Sequence, residues 1–104
     1  MTTTTLDHTE VEAFTMRAVS DIAAGYLGVM VSLGARLGLY RALAGAGPLT
    51  SHELAERTDT TERYVRDWLS AQAAAGYLTY HPGSQTFELT PEHALVLADE
   101  ESVA

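Results

Sequence analysis

Apolar residues recur at helical spacing from Val11 through Phe14 and Ala18 to Ile22, with Val19 and Tyr26 flanking the same stripe. Glu10, Glu12, Arg17 and Asp21 lie off it. The spacing predicts a helix from about Thr9 to Ala24, with Asp7 or Thr9 placed to cap its N-terminus. Residues 1–8, which open on a run of threonines with nothing to bury, are expected to be disordered.

From Ala23 to Gly45 the chain is apolar on nearly every side and helical by composition, yet it carries glycines at 25, 28, 34 and 38. Each glycine inside a helix costs about 1 kcal/mol relative to alanine, so close helix packing is expected to offset it. Gly38 is expected to break the run and leave a short helix, Leu39–Ala44. A segment apolar all round is normally covered on most sides, which a single small domain can hardly provide. Two readings follow for its large side chains: internal core, or a surface for a second copy or an apolar ligand. The candidates for that surface are Phe14, Ile22, Tyr26, Leu27, Met30, Val31, Leu37 and Tyr40, with the first helix wrapping across a partner.

Beyond the loop ended by Pro48, Thr50 and Glu53 have capping-box spacing at the head of a helix Ser51–Arg57. Thr58–Thr61 reads as a turn, with Asp59 or Thr60 capping a helix Thr61–Ala75. Tyr64, Val65, Trp68, Leu69 and Gln72 share one face of that helix, and Gly76 ends it. Tyr64, Trp68 and Leu69 are expected to hold this part of the fold together. Two β-rich runs, Tyr77–Tyr80 and Thr86–Leu89, are joined by a turn at His81–Gln85 containing Pro82-Gly83. Thr90 and Pro91 open a last helix, followed by the acidic tail Asp99–Glu101. Helix, turn, helix and hairpin make a winged helix-turn-helix. The predicted class is therefore mainly α with a small β-hairpin wing and extra N-terminal helices. Residues 9–104 form one domain: 9–45 interface helices, 50–76 helix-turn-helix, 77–89 wing and 90–99 the C-terminal helix.

Charge changes what this frame suggests. The chain has 104 residues and a formal charge of −8, with six arginines and no lysine. Nucleic acid binds by counterion release to clustered Lys and Arg, and an acidic chain repels it. Across 50–89, three basic residues face six acidic ones, and the wing holds no Lys or Arg. Arg63 and Arg66 are the candidate base readers on the second helix. Each has an acidic residue four positions away, Asp67 and Glu62 respectively, as on a solvated face. Nucleic acid is therefore not the expected partner, and DNA binding by a dimeric regulator is the alternative.

No chemistry of its own is expected for the chain. Four scattered histidines show no metal-ligand spacing, no serine lies in a nucleophile elbow, and no glycine-rich phosphate loop follows a strand. Cysteine is absent. Met1–Thr5 lacks the pattern of a signal peptide, and the charge-free run Ile22–Ala35 is shorter than the roughly 18 residues of a membrane span. These features fit a cytoplasmic protein that does not enter a membrane.

The segments Leu37-Gly38-Leu39-Tyr40, Gly47-Pro48-Leu49-Thr50, Glu53-Leu54-Ala55, Tyr64-Val65-Arg66 with Trp68-Leu69, and Gly76-Tyr77 together form a specific pattern. With Leu89-Thr90-Pro91-Glu92-His93-Ala94 after the wing, they resemble the N-terminal winged-helix domain of small-molecule S-adenosylmethionine-dependent methyltransferases. That resemblance implies homodimerisation through the N-terminal helices and a part in walling off a substrate pocket. It also implies a Rossmann-like catalytic domain downstream, or on a partner subunit, to bind the cofactor. No cofactor is expected on the residues of this chain, which reads as a fragment of such an enzyme or a free-standing relative.

Overall fold

In the computed structural model, which describes residues 5–98, the first element is one uninterrupted helix, α1 (His8–Arg36). The sequence suggested a join near Ala24, but Gly25 and Gly28 lie inside a continuous helix with nothing within 4 Å of either. Two isolated penalties of about 1 kcal/mol do not overcome a cooperative helix. Helicity also starts earlier than expected. Asp7 accepts from the backbone N–H groups of Thr9 (3.0 Å) and Glu10 (3.4 Å), which makes it the N-cap and His8 the first helical residue. Being unbroken, α1 is long and apolar enough to cross a membrane by length and composition, with a mean hydropathy of 1.5 over its most apolar window. The shorter charge-free run had argued otherwise. Residues 1–4 of the expected N-terminal tail, and the acidic tail Asp99–Glu101, lie outside the described residues.

Gly38, at φ 74°, turns the chain into α2 (Leu39–Leu43). After a loop come α3 (Ser51–Thr58) and α4 (Glu62–Ala74), then β1 (Thr79–His81), β2 (Thr86–Glu88) and α5 (Pro91–Leu97). The strands pair antiparallel, Thr79 with Glu88 and His81 with Thr86. On the other edge of β2, Leu49 forms an isolated antiparallel bridge by exchanging two backbone hydrogen bonds with Phe87, at 2.9 and 2.7 Å. The fold is a winged helix-turn-helix, as the element order suggested.

Local chemistry explains most of the boundaries. Thr50 and Glu53 form the reciprocal capping box, at 3.1 and 2.8 Å. Asp59 does not cap α4: it adopts the left-handed conformation (φ 53°) that closes α3, and Thr61 is the N-cap of α4 without a side-chain hydrogen bond. The two helices are tied instead by Ser51, whose hydroxyl donates to Glu62 at 2.5 Å.

The core joins Leu39, Tyr40 and Leu43 of α2 to Leu54 of α3, Val65, Trp68 and Leu69 of α4, and Leu49, Leu78, Phe87 and Leu89 around the wing. Tyr64 is not part of it. It is 73% exposed, because α4 turns the Val65–Trp68–Leu69–Gln72 face inward and Tyr64 falls at the margin. The Tyr40 hydroxyl donates to the Gln72 side-chain carbonyl, and the Tyr40 and Trp68 rings meet edge to face at 4.9 Å. Burial pushes the Tyr40 phenol well above its ordinary pKa, so it stays protonated as that donor.

The attachment of α1 is narrow. Trp68 donates from its indole nitrogen to the Met30 carbonyl at 2.8 Å, and its ring lies against the bare backbone of Gly34. A Cβ at Gly34 would overlap the Trp68 ring and stand 2.9 Å from Tyr40 Cε2. Gly34→Ala is therefore expected to destabilise the domain by about 1–3 kcal/mol in urea unfolding, despite its better helix propensity. Gly28→Ala, in open space, is expected to be neutral or stabilising by up to about 1 kcal/mol.

Acid should loosen the helix-turn-helix. Hydrogen bonds from the backbone and side chain of Thr50 hold the Glu53 carboxyl below its ordinary value of 4.5. The Ser51 hydroxyl does the same for Glu62, against the opposing effect of burial and with help from the Arg66 and His52 charges. Folded pKa values below the unfolded ones mean a contribution that is full above the unfolded value and lost as pH falls through the folded one. Glu53→Gln and Glu62→Gln are thus expected to be less stable than the parent at neutral pH, with the gap closing below pH 4.5. Urea midpoints measured against pH check this.

Candidate functional site

Three surfaces carry features that a folded core does not need. The largest is the projecting part of α1. Val11, Phe14, Met16, Val19, Ile22, Tyr26, Val29 and Leu33 are 43–72% exposed, although all are large and apolar. At about 1.5 Å per residue α1 is about 43 Å long, and only its C-terminal third touches the domain. So many exposed large apolar side chains on one element are unusual for a surface left bare to water.

The sequence-derived candidates divide on this helix. Phe14, Ile22, Tyr26 and Leu37 are exposed. Leu27, Met30 and Val31 are half-buried, and the last two pack against the chain's own core. Tyr40 is a correction: at 1% exposure it is a core residue held by Gln72 and Trp68, and its side chain cannot meet a partner. Met16, Val29 and Leu33 were missed. Val29 and Leu33 continue the stripe that starts at Val11, and an expected join near Ala24 hid the continuity; Met16 lies about 120° round the helix from Ile22, off the stripe.

At its C-terminal end the stripe runs into a hollow of about 250 Å³, lined by Leu33, Leu37, Leu39, Thr60, Thr61, Tyr64, Val65 and Trp68. This is where the outward-turned Tyr64 is found. A second apolar hollow, of about 210 Å³, lies between Tyr77 and the residues His93, Val96 and Leu97 of α5. His93 donates there from Nδ1 to the Tyr77 carbonyl at 2.8 Å.

The third surface is the one a DNA reader would use. A cleft of about 490 Å³ separates α3 and α4 from the wing, lined by Ser51, His52, Glu62, Arg66, Ser70, Tyr80, Ser84 and Gln85 among others. Arg66 lies over Glu62, with Nε 3.9 Å from the carboxylate, as the spacing suggested. Arg63 differs: no ion pair joins it to Asp67 among the described residues. On the wing, His81 meets Glu88 at 3.0 Å. Glu62 stands beside Arg66 in the cleft and Glu88 beside His81 on the wing, so carboxylates accompany the side chains a phosphate would approach. No group of three or more possible metal ligands occurs among the described residues.

The comparisons with known proteins agree with this frame. Residues 25–99 match the Rv2258c-like winged helix-turn-helix domain. A search of the curated proteins finds no match. Among solved structures, the chain is similar to the mitomycin 7-O-methyltransferase MmcR at 27% identity and a TM-score of 0.69, covering 88% of this chain and 27% of that one. It is similar to the N,N-8-amino-8-demethyl-D-riboflavin dimethyltransferase RosA from Streptomyces davawensis, also at 27% identity and a TM-score of 0.69, covering 83% of this chain and 25% of that one. The chain thus spans about a quarter of the length of both methyltransferases, and the matched part is their N-terminal region. The multiple antibiotic-resistance repressor MarR from Listeria monocytogenes shares the fold at 17% identity and a TM-score of 0.53, over 98% of this chain and 75% of that one. With its match extending over residues 25–99, the chain belongs to the Rv2258c-like winged helix-turn-helix domain family.

Proposed function

We propose that this chain is a dimerisation and substrate-pocket module of the methyltransferase type, with no catalysis of its own. The observation that carries this reading is the bare apolar face of α1, from Val11 to Leu33, on a domain whose own core is already complete without it. The likeness to the N-terminal regions of MmcR and RosA supports the same role. In this reading S-adenosylmethionine is bound by a separate catalytic domain or subunit, and the apolar hollow beside α5 faces either that domain or an apolar substrate.

The expected assembly is a homodimer. Light scattering coupled to size exclusion at micromolar concentration should give twice the 11.2 kDa chain mass. Ile22→Asp places a charge on the exposed face and should weaken dimerisation by about 3 kcal/mol, roughly 100-fold, while Trp68 keeps its near-ultraviolet signature. A parent chain that stays monomeric would overturn the proposal.

Regulation of transcription through α4 is the second reading, favoured by the exposed Arg63 without an acidic partner and by the fold shared with MarR. Charge opposes it. Fluorescence anisotropy with duplex DNA is expected to show no affinity that falls with salt. An affinity abolished by Arg63→Ala and Arg66→Ala would favour the regulator instead.

A further inference from the structure

The hollow beside α5 combines an apolar lining with one side chain whose hydrogen-bonding character is fixed. Tyr77, His93, Val96 and Leu97 border about 210 Å³. That is smaller than the roughly 300–1,000 Å³ of sites that enclose a drug-sized molecule, so it suits one or two rings. Two of the lining side chains are aromatic and two are branched aliphatic.

His93 is held at its backbone and at its ring. Its backbone N–H donates to the Thr90 hydroxyl at 3.4 Å, within the N-terminal turn of α5. Gly76, at φ 82°, turns the chain out of α4, and the Tyr77 N–H donates to the Gln72 carbonyl at 2.9 Å. That anchors the Tyr77 carbonyl, which accepts from His93 Nδ1 at 2.8 Å. A carbonyl can only accept, so the single hydrogen of the neutral imidazole sits on Nδ1 and Nε2 keeps its lone pair. Nε2 has no partner among the described residues.

We propose that this hollow binds a one- or two-ring phenol, its rings against Tyr77, Val96 and Leu97 and its hydroxyl donating to His93 Nε2. The reading above leaves open what the hollow meets; this inference names the occupant's chemistry and holds whether or not the chain pairs. A bare hydrocarbon would cover the lone pair without satisfying it. An anion is a poor occupant, because the neutral ring offers it no hydrogen and the chain carries a formal charge of −8.

2-Naphthol and 2-methylnaphthalene have nearly the same shape and differ in the hydrogen-bond donor. Each is titrated into the chain while the methyl resonances of Val96 and Leu97 are followed by NMR. 2-Naphthol should bind about tenfold more tightly, the effect of one added hydrogen bond. The His93 Nε2 resonance should move with 2-naphthol and stay in place with 2-methylnaphthalene. His93→Asn keeps an amide N–H for the Tyr77 carbonyl and has no atom in place of Nε2, so the two probes should then bind alike. Equal affinity in the parent, a preference that survives His93→Asn, or shifts confined to α1 methyls such as Ile22 and Val29 would each overturn the site. Light scattering on the same samples reads the assembly separately: a dimer without the hydroxyl preference overturns this site alone, and a monomer that retains it overturns only the dimer.

Discussion

The contact between Trp68 and the Gly34 turn is the point on which this structure depends. One indole ring does three things there. It fills the centre of the winged-helix core beside Tyr40, its N–H donates to the Met30 carbonyl, and its edge occupies the space that a side chain at position 34 would take. Glycine at 34 is therefore a packing requirement, and its helix penalty of about 1 kcal/mol is offset by the contact it permits. Because the contact is confined to the last turns of α1, the rest of that helix is held out from the domain as a lever.

The lever explains why the frame and the charges of this molecule point in different directions. A winged helix positions α4 and the hairpin for a DNA groove, yet Glu62 in the cleft is engaged by Ser51 and Arg66, and the one basic side chain on the wing, His81, pairs with Glu88. The polar side chains on that surface tie α3 to α4 and the strands to each other. By contrast, the large apolar side chains between Val11 and Tyr26 take no part in the core among the described residues. The exposed apolar surface is concentrated on the helix outside the winged-helix motif.

Much of the domain could be read from local chemistry in the sequence. The capping box at Thr50 and Glu53, the stop at Gly76 and the Thr90-Pro91 start each fix one boundary through a few adjacent residues, and all are present. What the sequence hid depends on contacts distant along the chain. Asp59 has the composition of a cap for α4, but its backbone closes α3 instead. Tyr64 has core spacing, yet α4 is rotated by its heavier neighbours Val65 and Trp68. Periodicity also could not divide the apolar residues of α1, because the helix is apolar on two sides. One side meets Trp68 and the other is exposed among the described residues, so no single stripe stands out.

That two-sidedness gives the exposed glycines a meaning different from that of Gly34. Gly25 and Gly28 have open space around them and make no demand on the chain's own packing. Alanine at either position should add helix propensity alone, whereas alanine at 34 meets the Trp68 ring. The same residue type on one helix is thus a packing requirement at one position and a bare propensity cost at the other two.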